Sequence, residues 1–293
     1  MERKILNANQ HGRQLMNVEK PSCLALLVVG LIGGASLVAL FSRAPYSSST
    51  LFCGGGAWGA RAVGEATTTT TQMEAVLHYA TTSVVPQQSL GEITVTSDVL
   101  KSVGPCNFLV FGLGHDSLMW AALNPGGTTL FLEESPDWVN ATLKDAPGLH
   151  ADVVPYRTKL SEADELLQHY LTEPGCRPDN SFLRGNTKCR LALNMLSDKV
   201  YDTEWDTIMI DAPRGYFPEA PGRMGAIYSA AIMARNRNKS GVTHVFLHDV
   251  DRRVEATYAE MFLCRKHLVK AVGRLWHFEI PPATNTANSD NFC

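Results

Sequence analysis

The chain has 293 residues, of which 45% are hydrophobic and 19% charged, with a formal net charge of −3. That hydrophobic share sustains a core and excludes a wholly disordered chain, and the missing basic excess argues against a general nucleic-acid binder. Seven cysteines are too few for a disulfide scaffold at this length, and none forms a CxxC pair that would support a structural zinc site.

The first 71 residues and the remainder differ in kind. Ser22 to Phe41 is an uncharged run, SCLALLVVGLIGGASLVALF, of 20 residues. At 1.5 Å per residue a helix of that length spans about 30 Å, the hydrocarbon thickness of a bilayer. Arg3, Lys4, Arg13 and Lys20 precede it and only Arg43 follows closely, so the positive-inside rule puts the N-terminus in the cytosol. A cleaved signal peptide would have a shorter apolar core, and Gly30, Gly33 and Gly34 would weaken a buried core helix. The reading is a cytosolic tail (1–21), a signal anchor (22–41), a Ser/Gly/Thr-rich stem (42–71) and a luminal domain (72–293), a type II layout resembling that of Golgi enzymes. Asn140-Ala141-Thr142 and Asn238-Lys239-Ser240 are then glycosylation acceptors by pattern, with Asn140 and Asn238 the modified residues. An oxidising lumen permits disulfides, and Cys176 with Cys189, in one Pro/Gly/Asn-rich segment, is the first candidate pair.

From Gln72 onward, short apolar runs alternate with stretches of helical period. Residues 107–111, 128–132, 207–210 and 242–247 read as buried strands, and 151–156 as a weaker one. Leu160, Ala163, Leu166, Leu167 and Tyr170 share a helix face, as do Met224, Ile227, Tyr228, Ala231 and Ile232. Val254, Tyr258, Met261 and Phe262 repeat the spacing. The alternation predicts an α/β fold with a mostly parallel, Rossmann-like sheet covered by helices on both faces, preceded by the one transmembrane helix. Ligands of such sheets bind at the carboxyl ends of the strands.

The residues just past each strand are therefore the candidates for chemistry. After the first strand come Gly112, Leu113 and Gly114, a tight turn into a helix whose third-glycine position is Ser117. Glu133, about twenty residues on, ends the second strand where an acidic side chain serves ribose hydroxyls. A turn short of phosphate-cradling glycines suits an adenosyl ligand without phosphates, S-adenosyl-L-methionine. Gly112, Gly114, Ser117 and Glu133 are the candidate cofactor residues. Asp211 ends a later strand, and His248 and Asp249 end the next. Methyl transfer to a hydroxyl needs a base, and these three are the candidates; alternatively, Asp211 and Asp249 hold a divalent metal that lowers the hydroxyl pKa. Arg214, Arg223 and Arg252 are candidates for an acidic substrate. Trp276 stacks on a sugar or fills the core.

The segments GPCNFLVFGLGHDSL (104–118), FLEE (131–134), YDTEWDTIMIDAPRGYFPEAPGRM (201–224), THVFLHDVDRRVE (243–255), FLCRK (262–266) and GRLWHFEIPP (273–282) resemble those of the plant glucuronoxylan 4-O-methyltransferase family, related to irregular-xylem-15-like proteins. The resemblance runs from about Ser97 to Cys293; Pro125 departs from its pattern. It implies a Golgi membrane enzyme that moves a methyl group from S-adenosylmethionine to O-4 of glucuronic acid on glucuronoxylan during cell-wall biogenesis. The alternatives are the same chemistry on arabinogalactan glucuronic acid and a non-catalytic Golgi scaffold for xylan synthesis. Neither a metal requirement nor an oligomeric state can be read from the residues.

Overall fold

A computed structural model describes residues 61–178, 182–283 and 292–293. The expected tail, anchor and most of the stem lie outside these residues. Among the described residues no helix is long and apolar enough to cross a membrane. Helix α1 (Arg61–Thr81) runs through the expected stem–domain boundary at residue 71. A threonine run is a poor helix former, so docking matters here. Ala75 is buried, and the Tyr79 hydroxyl donates to the His115 carbonyl at 2.6 Å and accepts from the Met119 amide at 3.3 Å.

Among the described residues seven strands make one sheet: β1 (Asn107–Phe111), β2 (Thr128–Glu133), β3 (Ala151–Val153), β4 (Thr207–Ile210), β5 (Thr243–Leu247), β6 (Leu268–Val272) and β7 (Leu275–Ile280). Their order is β3-β2-β1-β4-β5-β7-β6. The first five run parallel, while β7 pairs antiparallel with both β5 and β6. The mixed α/β sheet thus matches the expected fold class, with an antiparallel hairpin at one edge. The strand order changes direction between β1 and β4, and this switch point opens a crevice at their carboxyl ends.

Side chains alternate across the sheet. Leu109, Phe111, Ile208, Ile210, Val245 and Leu247 face a core shared with α5 (Ala163–Thr172), α6 (Asp198–Asp202) and α7 (Met224–Arg235). Phe108, Val110, Phe131, Met209 and Phe246 face a second core with Val95 and Leu100 of α2 (Leu90–Val103), Trp120 of α3 (Ser117–Ala122) and Val139 of α4 (Pro136–Asp145). Burial on both faces is why the strands read as unbroken apolar runs. Each fully buried large side chain contributes about 1.5–3 kcal/mol against conformational entropy.

Local chemistry sets the boundaries. Ser89 and Glu92 form a capping box at the start of α2, with the Glu92 carboxylate accepting from the Ser89 amide at 2.6 Å. Ser135 caps α4, and Pro136 occupies its first turn. The expected strand at 151–156 stops at Val153, two residues before Pro155, which has no N–H to donate. The helix expected through Phe262 is α-helical only over α8 (Arg253–Tyr258); a π-turn over Ala259–Leu263 continues it. Strand β6, at the sheet edge and mostly exposed, lacks the apolar run that reveals the others. Cys176 and Cys189 form a disulfide, as expected, and Cys264 pairs with Cys293, which the spacing does not announce. Cys106 is a buried free thiol.

Candidate active site

The crevice over β1 and β4 is a cleft of about 510 Å³, within the range of small-molecule sites. Gly112 and Gly114 line it, as do Glu133, Asp211, Arg214 and Arg252. Gly112 has φ 126°, a conformation side chains rarely adopt, and a Cβ there would meet the Ala212 Cβ at 3.1 Å. Backbone and ligand can therefore approach closely at this turn. The Glu133 carboxylate accepts from the amides of Leu113 at 3.2 Å and Ser135 at 3.0 Å. Burial raises its pKa, and those two amides offset the rise only in part. Ser117 is buried and does not line the cleft; its hydroxyl accepts from the Gly114 amide at 2.9 Å. The expected cofactor residue therefore braces the turn from behind.

The three candidate bases separate clearly. Asp211, directly after β4, keeps 20% of its side chain exposed and borders the cleft. Its Oδ1 accepts from His248 Nδ1 at 2.9 Å and lies 3.3 Å from Arg223 Nη2, while Oδ2 accepts from Gln88 Nε2 at 3.1 Å. Burial alone would raise Asp211. The hydrogen bond from His248, the Arg223 charge and Gln88 together outweigh it and hold the carboxyl below the usual range.

His248 has no solvent exposure, and its imidazole, an expected base, is placed against Asp211. Its Nε2 has no hydrogen-bond partner among the described residues; Glu92 Oε1 is 3.7 Å away. Asp249, at φ 61°, is also committed. Its Oδ2 pairs with Arg223 at 2.8 Å and Arg252 at 2.9 Å, and its Oδ1 with Arg274 at 2.5 Å. Its oxygens are thus occupied by three guanidinium groups. The alternative reading, a metal between Asp211 and Asp249, meets a direct obstacle. Arg223 Nη2 contacts Oδ1 of the former and Oδ2 of the latter, occupying the position a dication would take. Those residues do not fit a metal.

Among the expected substrate arginines, Arg223 reaches the cleft wall but is buried and committed to protein partners. It donates to the carbonyls of Pro213 at 3.3 Å and His248 at 2.8 Å, and also to that of Asp211. It staples the ends of β4 and β5, which accounts for a cation at the start of α7. Arg214 is half exposed and pairs with Glu134; Arg252 is 30% exposed and borders the cleft. These two remain available to an anionic ligand. Trp276 is outside the cleft. It sits opposite Leu247 on β7, packs on the core, and carries the Arg265 guanidinium 5.5 Å from its ring centroid.

The site also holds residues beyond those the sequence patterns mark. Gln88, just before the cap of α2, and Glu92, in its first turn, lie far along the chain from any strand end. Asp116 accepts from the Trp120 indole at 2.8 Å; burial first, and the nearby Asp211 charge second, push its pKa up. Trp138 borders the cleft with His115, their ring centroids 5.9 Å apart. The His-Asp spacing after Gly114 was a signal for Asp116; nothing local marks Gln88.

Taken together, the close-approach turn at Gly112, the acidic end of β2 and the aromatic wall of Trp138 fit an adenosyl ligand. The chain matches the IRX15/IRX15L/GXM family model over residues 91–278. It is 57% identical to arabinogalactan O-methyltransferase 2 of Arabidopsis thaliana over 292 residues, covering 99% of this chain and 100% of that one. Arabinogalactan O-methyltransferase 1 of the same plant is 59% identical, covering 91% of this chain and 93% of its own. Glucuronoxylan 4-O-methyltransferase 1, also from A. thaliana, is 47% identical over 75% of this chain and 78% of its own. The cleft at the switch point, its glycine turn and its strand-end carboxylates are thus carried by a chain that belongs to the IRX15/IRX15L/GXM family.

Proposed function

We propose that the protein is an S-adenosylmethionine-dependent O-methyltransferase whose acceptor is O-4 of glucuronic acid on arabinogalactan. The observation that carries the chemistry is Asp211: an ionised carboxylate at the switch point, bordering the cleft, with His248 holding Oδ1 and Gln88 donating to Oδ2. Glu133 accepts the ribose hydroxyls, and the Gly112–Gly114 turn admits the amino-acid portion of the cofactor. The cofactor supplies an electrophilic methyl on a sulfonium. Asp211 would orient the sugar hydroxyl and take its proton as the new C–O bond forms, the methyl–sulfur bond breaking with its electron pair left on a neutral thioether. We assign the proton to Oδ2, which carries one donor where Oδ1 has two. A low-pKa carboxylate is a weak base, so the transfer belongs in the transition state, where hydroxyl acidity rises. Arg214 and Arg252 face the uronate carboxylate.

The acceptor that the sequence resemblance implies, xylan glucuronic acid, becomes the second choice, because the arabinogalactan relatives exceed the xylan one in identity and in coverage of both chains. The scaffold reading has least support, since the cofactor turn and Asp211 are both in place. We further propose a single-pass type II Golgi membrane protein. The apolar run 22–41, two disulfides and the exposed side chains of Asn140 and Asn238 support that placement. Full-length protein, labelled S-adenosylmethionine and either arabinogalactan or unmethylated glucuronoxylan form the test. Label in 4-O-methylglucuronic acid of arabinogalactan at higher kcat/KM is the expected result. Preference for xylan would reverse the acceptor assignment, and no labelled uronic acid from folded, cofactor-binding protein would refute the activity.

A further inference from the structure

Strand β5 carries His248 and Asp249 just past its carboxyl end, and a second group of metal-ligand side chains near its other end. Antiparallel pairing with β7 sets His244 opposite Glu279 and Phe246 opposite His277. The period of two puts all four side chains on one face of the sheet. His244 Nδ1 lies 3.1 Å from His277 Nε2 and 3.8 Å from Glu279 Oε1. Ligand bonds of 2.0–2.1 Å in a tetrahedral zinc site put neighbouring ligand atoms about 3.3 Å apart, so these separations are close to the edges of a coordination tetrahedron.

We propose that His244, His277 and Glu279 bind a transition-metal dication of the zinc class, clamping β7 to β5 away from the active-site cleft. Two imidazoles and one carboxylate are a donor set zinc accepts, with water as the fourth ligand. The rings are pre-positioned: His277 stacks on Phe246 with centroids 4.4 Å apart, and backbone pairing fixes the strands. A path for the ion exists, because Glu279 is 43% exposed and His244 13%. The charged groups around the pair are Asp206, Arg237 and Lys270 besides Glu279. Arg237 is engaged by Asp206 at 2.9 Å, and Lys270 is exposed on the edge strand. Burial, above all, lowers both imidazole pKa values, His277 to about 4, so both rings are neutral ligands at pH 7.

The test is calorimetric titration of full-length, chelator-stripped protein with zinc chloride, repeated with cobalt chloride and read by visible absorption. Wild type is expected to take up one equivalent at this site, to develop the intense visible bands of tetrahedral cobalt and to melt at a higher temperature with zinc. His244→Ala should abolish all three effects. Glu279→Gln, on a half-exposed side chain that the fold does not need, should weaken binding about tenfold or more. It decides the matter if the histidine variant fails to fold. Wild type without saturable binding, or a Glu279→Gln variant that binds zinc as wild type does, would overturn the site and leave a hydrogen-bonded histidine pair.

Discussion

At the end of β4, Asp211 borders the cleft with one-fifth of its side chain exposed; one strand over, Asp249 is almost sealed and is gripped by Arg223, Arg252 and Arg274. Both are aspartates at neighbouring strand ends, and both contact the same Arg223 nitrogen. The difference lies in what the remaining lone pairs face. Asp211 keeps an oxygen, Oδ2, with a single donor among the described residues, whereas Asp249 spends both oxygens on holding arginines. Position at a switch point therefore makes a carboxylate available to chemistry, and the density of cations around it decides whether it performs any.

If the two aspartates differ in this way, neutralising the open one should do the most damage to turnover. Asp211→Asn is expected to lower kcat by about 10²–10⁴-fold while S-adenosylmethionine affinity by calorimetry stays within a few-fold. The converse change, Asp249→Ala, should act on the fold. It removes a partner of the buried Arg223 guanidinium, and breaking a buried ion pair from one side costs about 3–5 kcal/mol. Urea unfolding would register it as a lower midpoint; unchanged stability would show that the three arginines find water instead.

Titration separates the pair more gently. Asp211 has a folded pKa below its unfolded value, so its stabilising contribution is present above the ordinary aspartate pKa of about 3.9. That contribution is lost as pH falls through the lower folded value. The acid limb of kcat/KM should likewise lie below the ordinary aspartate range. Gln88→Ala removes one donor to Oδ2 and should move that limb upward while lowering turnover modestly; an unmoved limb would disconnect Gln88 from the base. The smallest expected effect is local. Gly112→Ala, forced to φ 126° and into Ala212, should cost about 1–3 kcal/mol, read as weaker cofactor binding.

The parts of this site legible in the sequence are those whose neighbours in space are neighbours in the chain. The turn from Gly112 to Gly114, the acidic end of β2 and the strand ends at Asp211 and His248 each sit beside an apolar run that announces them. The role of a residue was less legible than its position. Arg223 and Asp249 are in the site, but their partners come from separate loops, and only the assembled arrangement shows that each neutralises the other. Ser117 marks the right turn but points behind it. Trp276 lies in a strand whose pairing with β5 no local pattern specifies, and Gln88 precedes a capping box that reads only as a helix start. Glu92 does two things at once: it caps α2, and it accepts from the Arg274 amide at 2.6 Å, anchoring the β6–β7 turn near His248.

Whether Asp211 is the base of a methyl transfer is decided by a paired measurement on full-length wild type and Asp211→Asn. Methyl transfer from labelled S-adenosylmethionine to arabinogalactan glucuronic acid is followed alongside cofactor binding. Wild type is expected to give labelled 4-O-methylglucuronic acid, and the variant to lose turnover by about two orders of magnitude or more with the cofactor still bound. Equal turnover by the two proteins would contradict the assignment.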